Sequence, residues 1–234
     1  MVYFVLLAKL FWIFINTLIY ILRSLLYPQQ TDKLKKKWAQ STLAKMGYTV
    51  HAQNINQDLD WNRPLILVGN HISFLDILVL LAAHPQAVFL SKIEVKNWPI
   101  IGWGARRAGT LFVDRSSMKG RKSLREQILN QLLKSQSHLV IFPSGTTTLD
   151  ENISWKKGAF EIAASCLIPV QTFKINYLPL RESAYIDNDQ LLKQMLIQLR
   201  IPNKKAYLDW GNRFKISDIK TDITVIKEHV LAIK

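Results

Sequence analysis

Apolar residues form an almost unbroken run at the start of the chain, over residues 1–26, in which only Lys9 and Arg23 are charged. As a helix, a run of this length would be about 39 Å long, enough to cross the ~30 Å hydrocarbon core of a bilayer with some tilt. Lys9 shortens the uninterrupted stretch, and the chain can turn at Asn16 and Thr17. The pattern predicts a membrane anchor over residues 1–28, either one tilted span or a helical hairpin that dips into one leaflet.

Basic residues follow the apolar run, at Arg23, Lys33 and positions 35–37. Because cations next to a membrane segment favour the cytoplasmic side, this bias predicts that the remainder of the chain lies on the cytoplasmic face. A cleaved signal peptide fits less well, since the run has no early cation and no clear small-residue cleavage site follows it.

The next segment, residues 31–46, has the pattern of an amphipathic helix. Its larger apolar residues, Leu34, Trp38, Leu43 and Met46, share roughly one face, and lysines occupy the others. Such a helix either packs on a protein core or lies on anionic lipid headgroups. Gly47 is the expected end of this helix, because glycine readily adopts the left-handed conformation that follows a helix.

Short apolar runs and longer amphipathic stretches alternate along the rest of the chain, which is typical of an α/β layer fold. Strands are predicted at residues 48–52, 65–68, 87–91, 109–113, 139–142, 170–177 and 205–210. Helices are predicted at 74–83, 121–134, 160–166 and 221–233, and NWPIIGWGARRA (97–108) is predicted to be a loop. A single domain over residues 29–234 behind the anchor is the simplest organisation.

The chain carries a large positive charge, formally +14 from 31 basic and 17 acidic residues in 234. This excess favours anionic partners such as phosphorylated substrates, acidic lipid surfaces or nucleic acid. A nucleic-acid partner is not expected, because no nucleic-acid motif is present and lipid phosphate is the simpler target for an anchored chain. The one cysteine, Cys166, cannot form an intramolecular disulfide.

The sequence GNHISFLD (69–76) lies between an apolar strand and an apolar helix, a common place for chemistry. Ser73 and Asp76 have the spacing of a capping box, which is a purely structural explanation for that pair. It does not explain His71. An imidazole whose tautomer is set by a carboxylate keeps its other nitrogen free to accept a proton. Because the chain has no G-x-S-x-G sequence, a base acting directly on a hydroxyl is favoured over a serine hydrolase.

Structural explanations suffice for two other histidines. His84 comes at the end of a predicted helix, just before Pro85, and His138 opens a predicted strand, where it is expected to be exposed. Trp98 and Trp103 either form a hydrophobic lip at the membrane or belong to the core.

Three further blocks follow NHISFLD in order. Residues 92–115 end in a segment with Gly109, Phe112 and Arg115, FPSGTTT occupies 142–148, and WKKGAFEIA with LIPVQTF covers 155–173. Together these blocks resemble the motifs NHxSxxD, GxxFxxR and FPEGTRS, and a block centred on proline, of the glycerolipid acyltransferases. This is the 1-acylglycerol-3-phosphate acyltransferase (PlsC-like) family. The resemblance covers roughly residues 30–215 and implies an α/β fold with a central mixed sheet flanked by helices.

The resemblance also implies an activity: transfer of a fatty acyl group from acyl-CoA or acyl carrier protein to the hydroxyl of a lysophospholipid. The default acceptor is 1-acyl-sn-glycerol-3-phosphate, which gives phosphatidic acid, and no metal or organic cofactor is implied. His71 would be the general base, Asp76 would orient it, and Arg115 would bind the acceptor phosphate. The same resemblance implies that further residues belong to the site: Lys92, Glu94, Gly109, Phe112, Ser144, Gly145 and Thr146.

The third block departs from the family pattern. Ser144 and Thr147 replace the usual glutamate and arginine of FPEGTRS. Loss of an anion beside a phosphate site suits a more anionic or bulkier acceptor, and residues 184–196 resemble a segment of relatives that acylate lyso-ornithine lipids. The alternatives are therefore an acyltransferase for another lysolipid, such as lyso-ornithine lipid, and a lipid-binding relative without catalytic activity.

Overall fold

A seven-stranded mixed sheet lies at the centre of the computed structural model, which describes residues 2–53, 61–98, 100–113, 126–128, 130, 132 and 137–233. The strands are β1 (Tyr48–Gln53), β2 (Leu65–Gly69), β3 (Ala87–Lys92), β4 (Leu111–Val113), β5 (His138–Ile141), β6 (Val170–Leu178) and β7 (Lys204–Phe214). Their order across the sheet is β1-β7-β6-β2-β5-β3-β4, and all neighbours are parallel except β6 and β7.

Helices cover both faces of this sheet. They are α1 (Val2–Leu26), α2 (Thr31–Lys45), α3 (Leu75–Ala83), α4 (Ile101–Arg107), α5 (Gly158–Cys166), α6 (Leu180–Ser183), α7 (Leu191–Arg200) and α8 (Ile219–Ala232), with 3₁₀ turns at Pro28–Gln30 and Ile93–Asn97.

Strand β2 shows why the sheet is buried on both faces. Its residues Leu65 and Leu67 pack into a core with α2 and α3, while Ile66 and Val68 pack into a second core with α5 and α8. All four side chains are fully buried. The unbroken apolar run LILV therefore has the composition expected of a central parallel strand rather than of a strand with one wet face.

The predicted α/β fold with a mixed sheet is confirmed, and each predicted strand is present within a few residues of its expected bounds. Three segments differ. The predicted loop 97–108 contains α4, whose glycines and two arginines concealed its helical pattern. The sequence pattern predicts no helix at the positions of α6 and α7. The predicted helix 121–134 lies mostly outside the described residues; positions 126–128, 130 and 132 are helical.

The N-terminal segment is one continuous helix, so the turn considered at Asn16 and Thr17 is wrong. Helix α1 runs antiparallel to α2, since Asn16 donates to Ser41 Oγ and Thr42 Oγ1, and Trp38 Nε1 donates to Thr17 Oγ1. The polar side chains that suggested a turn are therefore the contacts that join the two helices.

Helix α1 is apolar on two sides. One side packs on the domain, where Leu6, Tyr20 and Ile21 are buried. Lys9 Nζ donates to the carbonyl of Leu199 at 3.0 Å, and the Arg107 guanidinium donates to Ser24 Oγ at 3.2 Å and to the Ser24 carbonyl. The other side exposes Phe4, Val5, Leu7, Phe11, Phe14, Ile19, Leu22, Leu25 and Leu26. Among the described helices, only residues Phe4–Leu26 are long and apolar enough to cross a membrane.

Helix α2 packs on protein rather than standing free at a lipid surface. Leu34, Leu43 and Met46 are buried, as the predicted apolar face requires, and α2 lies against both α1 and α3. The helix ends where expected: Gly47 has a φ of +83°, and its N–H donates to the carbonyl of Ala44.

A fully buried lysine, Lys204, joins the ends of two helices. Its ammonium donates to the carbonyl oxygens of Met46 and Gln198, at 2.6 and 2.7 Å, and to that of Ile201. Burial lowers the pKa of Lys204 to about 8. These carbonyls belong to the C-termini of α2 and α7, where a cation complements the helix dipoles.

Two histidines form a buried pair at the amino ends of the parallel strands. His84 Nε2 hydrogen-bonds to His138 Nδ1, and the rings stack with centroids 4.6 Å apart. The expectation that His138 is exposed is wrong: His138 is fully buried, because Trp61 and Trp210 close over the pair. Burial, reinforced by the neighbouring His138, lowers the pKa of His84 to about 3, and burial also lowers the pKa of His138.

This pair predicts a loss of stability at mildly acidic pH. The pKa of His84 is about 3 in the folded chain against an ordinary 6.5, so below pH 6.5 the unfolded chain binds more protons. Lowering the pH from 7.5 to 5 should reduce the free energy of unfolding by roughly 2 kcal/mol through His84 alone. Urea unfolding at both values measures this, with His84→Gln as the comparison. An equal loss in the variant would contradict the assignment.

Candidate active site

The candidate site lies where β2 leaves the sheet. Asn70, the first residue beyond β2, continues the pairing with β6 through its side chain. Asn70 Nδ2 donates to the carbonyl of Ile175, and Asn70 Oδ1 accepts from the N–H of Ile175, both at 2.8 Å. Gly69 is required just before, because a Cβ there would lie 2.4 Å from the Phe173 ring. The backbone is thus held against β6 at the point where His71 begins the turn.

Asp76 holds His71 and the turn with a single carboxylate oxygen. Its Oδ2 accepts from His71 Nδ1 at 2.7 Å and from the backbone N–H groups of Ile72 and Ser73 at 2.7 and 3.0 Å. The carboxylate is completely buried, and 17% of the His71 side chain is exposed. A hydrogen bond from Nδ1 to the carboxylate sets the tautomer that leaves Nε2 with a lone pair.

The other oxygen of Asp76 receives a hydrogen bond from a tyrosine on β6. Tyr177 Oη donates to Asp76 Oδ1 at 2.5 Å, and both side chains are buried. Burial, and after it the charge of Asp76, raises the pKa of Tyr177 well above its ordinary value, so the phenol stays neutral and remains a donor.

The capping explanation for Ser73 and Asp76 accounts for only part of the geometry. Asp76 does accept from the Ser73 N–H, but the residue preceding α3 is Phe74, and Ser73 Oγ lies 3.4 Å from the Leu75 nitrogen. The same carboxylate therefore serves the backbone of the turn and the imidazole.

The FPSGTTT loop (142–148) follows β5, the neighbour of β2 in the sheet, and contacts His71 at both of its ends. The Phe142 ring stacks on the imidazole, with centroids 3.9 Å apart and planes 8° apart, and the Thr148 N–H donates to the His71 carbonyl at 2.8 Å. Stacking restricts the tilt of the imidazole, so the third block positions the histidine of the first.

A tight turn shapes the middle of this loop. Gly145 has a φ of +71° and donates its N–H to the carbonyl of Phe142 at 3.0 Å. Ser144 is buried, and its hydroxyl donates to the carbonyl of Thr146 at 2.6 Å, whereas the Thr146 side chain is exposed. Ser144 thus stabilises the turn from within, and Gly145 meets a backbone requirement for glycine.

The second block is described only as far as Val113. Gly109, at a φ of +83°, ends α4: its N–H donates to the carbonyl of Arg106, and that of Thr110 donates to the carbonyl of Ala105. This is the bonding of a Schellman cap, so Gly109 ends a helix. The remaining residues predicted here are placed less fully: Phe112 is half-buried in β4, Glu94 lies in the turn Ile93–Asn97, and Arg115 and the Lys92 side chain lie outside the described residues.

The arrangement can accept a proton. Among the described residues none hydrogen-bonds to His71 Nε2, and the ring is partly exposed. No group of three His, Cys, Asp or Glu side chains in the described part of the chain could hold a metal ion. The structure brings His71, Asp76 and the loop with Ser144, Gly145 and Thr146 together.

Three contacts of this site were not predicted from the sequence: those of Asn70, Phe142 and Tyr177. A signal for Tyr177 did exist, because alternate residues of a strand share a face and Tyr177 follows Phe173 and Ile175 on the buried face of β6. A polar-tipped aromatic at such a position needs a partner. The partner itself, on a helix 101 residues earlier, could not be read from spacing.

The chain is similar to known acyltransferases. The family model described as Acyltransferase matches residues 47–176. A lyso-ornithine lipid O-acyltransferase of Pseudomonas aeruginosa is 39% identical over 144 residues, covering 57% of this chain and 52% of that protein. One from Rhizobium meliloti is 33% identical over 151 residues, covering 63% and 49%.

Two other matches are to acyltransferases that are named for acylated glycerophosphates. A chloroplastic 1-acyl-sn-glycerol-3-phosphate acyltransferase of Arabidopsis thaliana is 30% identical over 138 residues, covering 58% of this chain and 38% of that protein. The crystal structure of the acyltransferase PlsC from Thermotoga maritima has a TM-score of 0.68 at 19% identity, covering 99% and 97% of the two chains, which establishes a shared fold. The chain spans about half the length of the lyso-ornithine lipid acyltransferases it matches.

The hydrogen bond from Tyr177 generates a prediction. Tyr177→Phe leaves the buried Asp76 Oδ1 without its donor, which should lower the free energy of unfolding by about 1–3 kcal/mol in urea titrations. Tyr48→Phe is the matched control, because the Tyr48 hydroxyl donates to the neutral hydroxyl of Ser183 at 2.7 Å. A smaller loss, about 1 kcal/mol, is expected there. Equal losses would mean that Asp76 does not depend on the phenol.

Proposed function

This chain belongs to the Acyltransferase family, and from that premise we propose that it transfers a fatty acyl group from acyl-CoA or acyl carrier protein to the hydroxyl of a lysolipid. One observation carries the proposal: the His71 imidazole bonds through Nδ1 to the buried Asp76, 2.7 Å away, while its ring stays partly exposed and its Nε2 has no hydrogen-bond partner among the described residues. A base held in this way suits deprotonation of a hydroxyl.

The proposed reaction is a single displacement. His71 Nε2 takes the proton of the acceptor hydroxyl as its oxygen attacks the thioester carbonyl carbon. The tetrahedral intermediate collapses by breaking the carbon–sulfur bond, and the thiolate takes the proton back from the imidazolium. Asp76 remains ionised and stabilises the imidazolium, as in triad chemistry. The products are an acylated lipid and the free thiol of the carrier, so no acyl-enzyme and no cofactor is needed.

The proposed acceptor is a lysolipid whose head carries an anionic group, a phosphate or a carboxylate. Lysophosphatidate, which would give phosphatidic acid, is the first candidate, and Arg115 is proposed to bind its phosphate through a guanidinium fork. Lyso-ornithine lipid is the second candidate, favoured by two observations: the 39% and 33% identity to proteins named for that acceptor, and Ser144 and Thr147 in the third block.

We further propose that α1 holds the domain on the cytoplasmic face of a membrane by lying in one leaflet. Contacts with the domain extend along the helix, from Lys9 near its start to Ser24 near its end. If α1 crossed the bilayer, the surface of the domain that packs against α1 would also lie in the hydrocarbon core. Trp103 lies on α4, which packs against α1, and Trp98 lies just before α4; both are exposed and suit the interfacial position that tryptophan prefers.

The acceptor panel is the decisive experiment for the activity. Membranes containing wild type or His71→Ala are given labelled acyl donor with lysophosphatidate, lyso-ornithine lipid or lysophosphatidylcholine. Because a general base contributes 10²- to 10⁴-fold, His71→Ala should lower the rate by at least about a hundredfold with the preferred acceptor. His51→Ala, on the edge strand β1, is the control and should retain the wild-type rate.

Each result decides between candidates. Product with lysophosphatidate alone identifies a phosphatidate-forming enzyme, and product with lyso-ornithine lipid alone selects the second acceptor. If wild type yields no product with any acceptor, the proposal fails in favour of a lipid-binding relative without catalysis.

The position of α1 generates a second prediction. Phe11→Glu puts a charge on the exposed apolar side of α1, where 65% of the Phe11 surface is exposed, and should weaken binding to lipid vesicles at least about tenfold in sedimentation assays. Leu167→Glu is the control: Leu167 is 91% exposed beside α5, on the other face of the sheet. Similar losses in both variants would contradict the proposed orientation.

A further inference from the structure

The ammonium group of Lys156 lies on the tight turn at Gly145. A Cβ added to Gly145 would lie 2.3 Å from Lys156 Nζ, so the lysine occupies the space that the missing side chain leaves. The backbone supports this position, because the Lys156 N–H donates to the carbonyl of Pro143 at 2.9 Å. A residue eleven positions downstream thereby becomes part of the third block's turn.

That turn belongs to the candidate active site. Phe142 precedes it and stacks on the His71 ring, and Thr148 follows it and bonds to the His71 backbone. The loop on which the Lys156 ammonium group lies therefore contacts the proposed base at both of the loop's ends. A group bound at this turn therefore contacts the same loop that contacts the imidazole.

Lys156 also lacks an anion to pair with. None of the carboxylates in the described part of the chain forms an ion pair with it, although the next residue, Lys157, pairs with Glu161 at 2.9 Å. The loop itself supplies no charge, because the positions that carry glutamate and arginine in the family motif are Ser144 and Thr147. A cation in an otherwise uncharged loop favours an anionic ligand.

We propose that Lys156 binds the anionic group of the acceptor lipid, a phosphate or a carboxylate, and so determines preference for anionic acceptors. The inference rests on the proposed function, since it names a ligand group for the same site. Lys156 supplies a charge at a loop whose usual arginine is absent. The ammonium group acts as a point charge that is satisfied equally by phosphate and carboxylate.

The chemistry of the two substrates favours the acceptor, rather than the acyl donor, as the ligand of Lys156. In lysophosphatidate the free hydroxyl and the phosphate ester are on adjacent carbons, so a hydroxyl at His71 brings its anion to the neighbouring loop. In acyl-CoA and acyl carrier protein the whole pantetheine arm separates the thioester from the nearest phosphate. A cation on the loop that contacts the proposed base therefore matches the acceptor's head.

Acceptor binding without donor tests the proposal independently of catalysis. Calorimetry measures the affinity of the intact 234-residue chain, in neutral detergent, for lysophosphatidate and for uncharged monoacylglycerol. Lys156→Met should weaken lysophosphatidate binding at least about tenfold, because it removes a hydrogen bond between two charged groups, and should leave monoacylglycerol binding unchanged. Lys156→Arg should restore most of the affinity.

The adjacent lysine provides the matched control. Lys157→Met removes the same charge from the chain but breaks only an exposed pair with Glu161, so it should bind lysophosphatidate as wild type does. Melting temperatures of the variants verify folding. Steady-state kinetics of Lys156→Met then show which substrate supplies the anion. A higher KM for the acceptor alone supports the proposal. A higher KM for acyl-CoA alone overturns it and indicates that Lys156 binds the donor phosphate.

The remaining outcomes are equally decisive. Equal losses in Lys156→Met and Lys157→Met would reduce the effect to general electrostatics and overturn the proposal, as would unchanged lysophosphatidate affinity in Lys156→Met. Weaker binding in a protein that transfers no acyl group would leave the Lys156 site supported while the proposed activity fails. Normal wild-type turnover with unchanged Lys156→Met binding would support the proposed activity and overturn the role of Lys156.

Discussion

A carboxylate without any exposure to water, that of Asp76, is the group on which the rest of the site depends. A buried charge is unfavourable unless hydrogen bonds replace its hydration, and here four donors do so: one imidazole, two backbone N–H groups and one phenol. The donors come from the turn after β2 and from β6, so satisfying the charge also fixes the turn against the sheet. The orientation of His71 is a consequence of that requirement.

Parallel pairing brings the other parts of the site together. Because β5 lies beside β2 in the same direction, the loop after β5 emerges next to the turn after β2, and Phe142 reaches the face of the imidazole. The same loop carries the turn at Gly145 with the Lys156 ammonium group over it. The imidazole of His71, its aromatic support and a cation on the supporting loop are thus brought to two neighbouring strand ends, the usual place for a site in an α/β sheet.

Two apolar surfaces on one helix explain how the domain meets a membrane. The side of α1 toward the domain is fixed by polar contacts at Lys9, Asn16 and Ser24, while the opposite side presents large apolar residues to the surroundings. An exposed apolar stripe of this length needs cover, and lipid supplies it. At the amino ends of the parallel strands, away from the site, the buried pair of His84 and His138 has lowered pKa values, which predict that stability falls at mildly acidic pH.

The sequence by itself determined the α/β class, most strand positions, the apolar N-terminal helix and the first and third blocks, because each is encoded by local periodicity or by residues close in the chain. Only the tertiary structure decided that Tyr177 completes the Asp76 site, that Phe142 supports His71 and that Lys156 covers Gly145. It also decided that His138 is buried, although the position of His138 at the start of a strand suggested that it is exposed. Asn16 and Thr17, which suggested a turn, instead form the hydrogen bonds that join α1 to α2. These contacts join residues far apart in the chain, and a residue's spacing carries no information about which distant strand or helix will pack against it.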